Sequence, residues 1–163
     1  IPMLAYAPGR IRPGTKVNRM TLNIDMAQTV LAAMEVAQPD GTPEMSGRSL
    51  LPMLLGQAQA DWRKHLLYEY HWEWNFPAQP TTLAIRTNRW KYVYTHGHWD
   101  INGLYDLETD PHERHNLIRV PAFREKADSL RTQLFKELGE SGGLLMPIRP
   151  PAGDPYHDRK LKR

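Results

Sequence analysis

The feature that most constrains this chain is the stretch 82–117, where three short β-rich runs lead into a polar turn that bears a proline. The runs are residues 82–87, 89–95 and 103–107. Thr87, Asn88 and Arg89 have tight-turn composition, and after them Trp90, Tyr92 and Tyr94 alternate with Lys91, Val93 and Thr95. Alternation on both sides of a short polar turn predicts an antiparallel hairpin with one packed face. The third run passes into Asp106, Asp110, Pro111 and Asn116, a proline-bearing turn composition in which the Asp and Asn side chains can bond nearby backbone groups.

The segment after that turn supplies a cover for the sheet. Phe123, Ala127, Leu130, Leu134 and Leu138 recur at helical spacing, which predicts an amphipathic helix over about residues 121–138, with Gly139 near its stop. Its apolar stripe is expected to pack on the strands. Upstream, residues 66–73 alternate as well, with Leu66, Tyr68, Tyr70 and Trp72 on one face and Leu67, Glu69, His71 and Glu73 on the other. A Glu/His/Glu row suits metal binding or acid–base chemistry. A closed zinc site takes four ligands, however, so a solvated sheet face is the expectation here.

Two loops join these strands, and both mix aromatic with polar groups. Residues 74–80 carry Trp74 and Phe76 among prolines, and residues 96–100 read His-Gly-His-Trp-Asp. Aromatic rings stack on the apolar faces of sugars while Asp, Glu and His bond hydroxyls, so two such loops could grip a carbohydrate. They could equally cover the edge of the sheet. His96 and His98 alone are a weak metal signal.

The first third of the chain reads differently. Residues 1–7 form an apolar run stopped by Pro8 and Gly9, expected as a buried strand, and residues 10–19 form a basic loop expected as a solvated connection. Asp25 stands at a helix start with Gln28 three residues on, the pattern of a cap, and Met26, Val30, Leu31 and Met34 fall on one helical face. Residues 49–55 predict one or two helical turns around Pro52, closed by Gly56. The small, polar residues 57–61 are the expected boundary between the end of a larger domain over 1–60 and a smaller one over 61–140, with a proline-rich, basic tail over 141–163.

The bulk numbers exclude more than they assign. A chain of 163 residues buries a core and fits one domain, and no apolar run is long enough to span a bilayer. With no cysteine there is no disulfide, thiolate zinc site or cysteine nucleophile in this stretch. The net charge of +3 gathers toward the two ends, which suits a polyanion but is also ordinary surface. There is neither a Gly-rich phosphate loop nor a Gly-x-Ser-x-Gly motif, and Ile1 opens inside an apolar run with no signal peptide, as expected of a piece of a longer chain.

Several short motifs then fall in one order: Tyr6-Ala7-Pro8-Gly9, Asn23-Ile24-Asp25, Gly47-Arg48-Ser49-Leu50-Leu51-Pro52, Arg86-Thr87-Asn88-Arg89-Trp90-Lys91-Tyr92, Leu104-Tyr105-Asp106-Leu107, Asp110-Pro111, Glu113 and Asn116-Leu117. This succession resembles the C-terminal portion of the type I, formylglycine-dependent sulfatases over about residues 1–140. The resemblance is nearest to the N-acetylglucosamine-6-sulfatase and glycosaminoglycan sulfatase branch. It implies an α/β fold: the C-terminal end of an alkaline-phosphatase-like α/β sandwich, then a small antiparallel sheet packed with one long helix.

In such enzymes a formylglycine hydrate attacks the sulfate ester, while calcium and fixed cations neutralise the anion. The motif for the modified residue, Cys or Ser followed by Pro two later and Arg four later, is absent here, as is the Asp-Asn calcium pair. The resemblance therefore implies no catalytic residue and no metal ligand in this chain. Calcium and formylglycine belong to the parent enzyme, and the chain alone is expected to be inactive. What the resemblance carries over is recognition of a sulfated carbohydrate, by His71, Glu73 and Trp74 from one loop region and His98, Trp99 and Asp100 from the other. Arg86 is expected to be structural. The expected partners are that carbohydrate and the upstream part of the same enzyme, not nucleic acid, in a periplasmic or secreted setting. The alternatives are part of a sister phosphate or phosphonate ester hydrolase, or a stand-alone module that binds polyanions.

Overall fold

The computed structural model describes residues 3–38, 40–72, 78–96 and 101–144. The chain divides into two compact units, residues Ile1–Lys64 and His65–Arg163.

The first unit is built around a buried carboxylate rather than a broad apolar core. Helix α1 (Asp25–Ala33) and the single turn α2 (Leu51–Leu54) are its regular elements. Leu50, Met53 and Trp62 form a small cluster with Val17 and Leu54 against it. Asp25 does not cap α1: no side chain caps this helix, and the Asp25 carboxylate instead accepts the amides of Leu22 (2.8 Å) and Arg48 (2.9 Å) and both terminal nitrogens of the Arg63 guanidinium. A bidentate guanidinium outcompetes the helix's own amides for that carboxylate. Gln28 likewise turns to Gln38 at 3.5 Å instead of closing a capping box.

The α1 stripe is left open: Met26, Val30 and Met34 are each more than half exposed. One further expectation for this unit is corrected. Residues 3–7 form no strand, and Leu4 is 99% exposed. A strand needs a neighbour to take its backbone hydrogen bonds, and none pairs with these residues among those described.

The second unit is a four-stranded antiparallel sheet in the order β1 (His65–Tyr70), β2 (Thr81–Thr87), β3 (Trp90–His96) and β4 (Gly103–Asp106). Leu67 pairs with Ile85, Ile85 with Tyr92 and Tyr92 with Leu104, so one row of apolar side chains crosses every strand on the same face. A 3-10 turn (Pro121–Phe123) leads into helix α3 (Arg124–Ser141). Its buried Ala127, Leu130, Leu134 and Leu138 close on that row, with Trp90 against Phe123 and Tyr94 edge-on to Phe135 at the flanks. The helix runs past Gly139 and stops at Gly142, whose left-handed φ of 80° only glycine adopts at little cost.

The face carrying Leu67, Glu69 and His71 is thus the side turned to α3, where Leu67 packs on the core while Glu69 and His71 keep about a third of their side chains exposed to solvent. The parity of β1 is decided by Leu67, which packs against the core, and Tyr68 on the other face is 53% exposed.

Candidate functional site

In an antiparallel meander alternate connections share an end. The connection from Tyr70 to Thr81 and the one from His96 to Gly103 therefore leave the same end of the sheet, while the tight turn at Asn88 lies at the other. Both loops singled out by sequence are anchored there. Of the six residues expected to contact sugar, His71 is described, immediately after β1. Glu73, Trp74, His98, Trp99 and Asp100 lie outside the described residues, as does the tail beyond Leu144.

The anchors of this end are built from hydrogen bonds. The Trp72 amide donates to the hydroxyl of buried Thr81 (2.9 Å), which ties the exit of β1 to the entry of β2. The Thr95 amide donates to Asn102 Oδ1 (3.0 Å), and Asn116 Nδ2 donates to the Asn102 carbonyl (3.0 Å). Asn116 Oδ1 also accepts the Leu104 and Ile118 amides, each at 3.0 Å. One asparagine pair thus holds the base of the β3–β4 connection.

Beside these anchors, Glu69 Oε2 lies 3.7 Å from His71 Nε2, and both side chains are about one-third exposed. His71 Nδ1 is enclosed and has no hydrogen-bond partner among the described residues. His96, at the end of β3, is exposed, and its ring meets Tyr94 at 6.4 Å between centroids. At the far end of the sheet Arg89 grips Asp106 through two bonds of 3.0 and 2.9 Å. That bond holds the Asp106 carboxyl below the usual carboxylate range against the burial that pushes it up. This pair closes the turn after β4 and takes no part in the loop end.

Among the described residues no three His, Asp or Glu side chains gather as a bound cation would require. With no cysteine and no Ser-x-Pro-x-Arg sequence, this stretch offers no precursor for formylglycine. Among the described residues this end offers the side chains of Glu69, His71 and His96 as hydrogen-bonding groups.

The family model described as N-sulphoglucosamine sulphohydrolase, C-terminal, matches residues 1–140. The chain belongs to this family. An N-acetylglucosamine-6-O-sulfatase of Bacteroides thetaiotaomicron is 30% identical over 142 residues, covering 84% of this chain and 24% of the relative. The human N-acetylglucosamine-6-sulfatase is 35% identical over 86 residues, 52% of this chain and 15% of the relative. A protein solved in complex with its substrate D-glucosamine-2-N,6-O-disulfate superposes with a TM-score of 0.72 at 26% identity, over 88% of this chain and 29% of that one. A phosphonate monoester hydrolase from Silicibacter pomeroyi superposes with 0.66 at 26% identity, over 83% and 28%. The chain spans about a quarter of the length of several curated relatives it matches.

Membership of the family, with the sheet and long helix it predicts, is thereby established: this is the C-terminal portion of an alkaline-phosphatase-like sulfatase fold. No helix among the described residues is long and apolar enough to cross a membrane. Sequence reasoning missed Asn102 and Thr81. Each is an isolated polar residue at a strand end, and only the register shows that its side chain meets the neighbouring strand's backbone.

Proposed function

We propose that this chain is the carbohydrate-recognition end of a sulfatase that hydrolyses sulfate esters of amino sugars in glycosaminoglycan-like substrates. Residues 1–60 complete the α/β domain, and residues 61–140 form the subdomain whose loops select the sugar. The catalytic nucleophile and the calcium belong to the part of the enzyme that this chain does not contain. His71, Glu73, Trp74, His98, Trp99 and Asp100 contact the sugar, with the two tryptophans stacking on the ring and the others bonding its hydroxyls. A periplasmic or secreted location goes with this reading.

The observation that carries it is the shared end of the sheet, from which both loops leave beside His71. The family description and the relatives named for N-acetylglucosamine 6-sulfate chemistry point to the same substrate class. The likeness to a phosphonate monoester hydrolase supports a second reading, in which the parent enzyme cleaves a phosphonate or phosphate ester instead.

Kinetics on the enzyme that carries this chain separate the two. Under the first reading, His71→Ala, Trp74→Ala, Trp99→Ala and Asp100→Asn each lower kcat/KM on glucosamine 6-sulfate by about tenfold or more while a small aryl sulfate is hydrolysed as before. Equal losses on both substrates, or faster turnover of a phosphonate monoester than of any sulfate, would sink it.

A further inference from the structure

The whole of the chain's net charge of +3 sits in residues 145–163. These carry Arg149, Arg159, Lys160, Lys162 and Arg163 against Asp154 and Asp158. Residues 1–144, the basic loop 10–19 included, hold lysine and arginine in equal number with aspartate and glutamate. The family match stops at residue 140, so this basic segment follows the part of the chain that the family model describes.

Where the segment departs is decided by α3, which crosses the sheet from the tight-turn end toward the loop end. Phe123, just before it, packs on Trp90 at the start of β3, and Phe135 meets Tyr94, two residues from the end of that strand. After Gly142 has turned the chain, Gly143 stands beside Glu69: a Cβ there would fall 2.6 Å from its carboxylate oxygen. Leu144 then lies along the last turn of α3, its Cδ1 3.5 Å from the place that a Cβ on Gly139 would take. Glu69 is one residue from the end of β1, so the tail departs from the end of the sheet at which both sugar loops leave. Its nearest cation, Arg149, follows Leu144 by five residues, a reach of at most about 17 Å in an extended chain.

That end is short of positive charge. The six side chains proposed to hold the sugar include two carboxylates and neither lysine nor arginine, and Glu69 places a third carboxylate beside them. A glycosaminoglycan-like chain carries further sulfates and carboxylates on the units next to the one held, and these are repelled by a surface that bears carboxylates alone. Cations tethered at the same place meet those groups at high effective concentration and release their counterions on contact.

We propose that residues 145–163 are an electrostatic extension of the sugar site, in which Arg149 and the basic residues of 159–163 pair with the anionic groups of the units next to the one held by the loops. The inference rests on the sugar-site reading of the loop end. It adds the length of substrate that the site prefers, a polyanionic oligosaccharide over a single sulfated sugar.

The test uses the enzyme that carries this chain, as wild type and with Arg149, Arg159, Lys160, Lys162 and Arg163 all replaced by glutamine. The substrates are glucosamine 6-sulfate and a tetrasaccharide of alternating uronic acid and sulfated glucosamine that ends in the same 6-sulfated sugar. The expected result is a kcat/KM on the tetrasaccharide lowered about tenfold or more, through KM, with less than about twofold change on the single sugar. The weakening of tetrasaccharide binding between about 50 and 200 mM salt should also be shallower in the variant.

An unchanged KM for the tetrasaccharide, or an equal loss on both substrates, overturns the extension. So does duplex DNA bound as tightly as the tetrasaccharide and with the same dependence on the five cations, since the segment then holds any polyanion and is no part of a sugar site. Calorimetric titration with the tetrasaccharide needs no turnover and therefore decides the tail's role also in an enzyme that hydrolyses neither sugar. If Trp99→Ala binds the tetrasaccharide as tightly as wild type while the neutralised tail weakens it, the loop reading falls and the tail's hold on the anionic units stands. If Trp99→Ala weakens binding and the neutralised tail does not, the loops stand and the extension falls.

Discussion

At the scale of single residues, Asp25 organises the first unit. Its carboxylate is fully buried and tied to Leu22, Arg48 and Arg63, segments far apart in sequence. Gly47 makes the Arg48 bond possible, because a Cβ there would fall 2.1 Å from the Ile24 carbonyl oxygen and push the two backbones apart. Removing one partner of a buried ion pair strands the other, so Asp25→Ala is expected to cost about 3–5 kcal/mol in urea unfolding. Burial pushes the Asp25 carboxyl up, but the Arg63 hydrogen bonds, the Arg48 and Leu22 amides and the guanidinium charge outweigh it and hold the group below the ordinary range. A carboxyl depressed in the folded state contributes stability that is whole above its unfolded value of about 4 and is lost as pH falls through the lower folded value. The gap between wild type and Asp25→Ala should therefore be constant near neutral pH and narrow below about pH 4. A gap that stays level into acid would mean that the charge of Asp25 does not carry the effect.

At the scale of elements, the sheet of the second unit depends on a side-chain clamp as well as on its ladders. Asn116 holds the Leu104 amide of β4 and the Asn102 carbonyl, and Asn102 in turn holds the Thr95 amide at the end of β3. Asn116→Ala is expected to cost about 1 kcal/mol in global stability and to raise amide hydrogen exchange at Leu104 and Thr95 well beyond that at Ile85 in the middle of β2. Uniform acceleration at all three would place the loss in the whole sheet and not in the clamp. These elements differ in how far the sequence disclosed them. The hairpin about Asn88 and the helix through Leu134 were legible because each follows one local period, and Asp110 with Asn116 was legible as a turn by residue type. The partner of Asn102 and the burial of Asp25 were not, since each joins segments separated by many residues. Alternation along β1 gave the two faces correctly but could not say which one α3 would cover. The candidate site was legible as two aromatic loops. That they leave the same end of the sheet emerged only from the strand order.

At the scale of the whole molecule, the two units differ in how well they satisfy their own apolar residues. The second encloses Leu83, Ile85, Tyr92, Leu104, Leu134 and Leu138 almost completely. The first leaves Met26, Val30 and Met34 along one side of α1 more than half exposed, together with Leu4 and Tyr6. Residues four apart on a helix form one stripe, and an exposed apolar stripe marks a surface that another body covers. Relatives about four times as long as the matched stretch leave room for that body, which under the proposed reading is the α/β domain of the enzyme. A chain lacking this cover should bind a hydrophobic dye and self-associate, as followed by dye fluorescence and sedimentation. Replacing Met26, Val30 and Met34 by glutamine should suppress both. Because these side chains are more than half exposed, the triple variant should keep its urea midpoint to within about 0.5 kcal/mol for each substitution, as surface changes do. A loss of several kcal/mol would instead show that the stripe is core within the chain and needs no partner. Fused behind the α/β domain of the enzyme, the same variant should weaken that domain's attachment, so that limited proteolysis separates the two parts more readily than in the wild type.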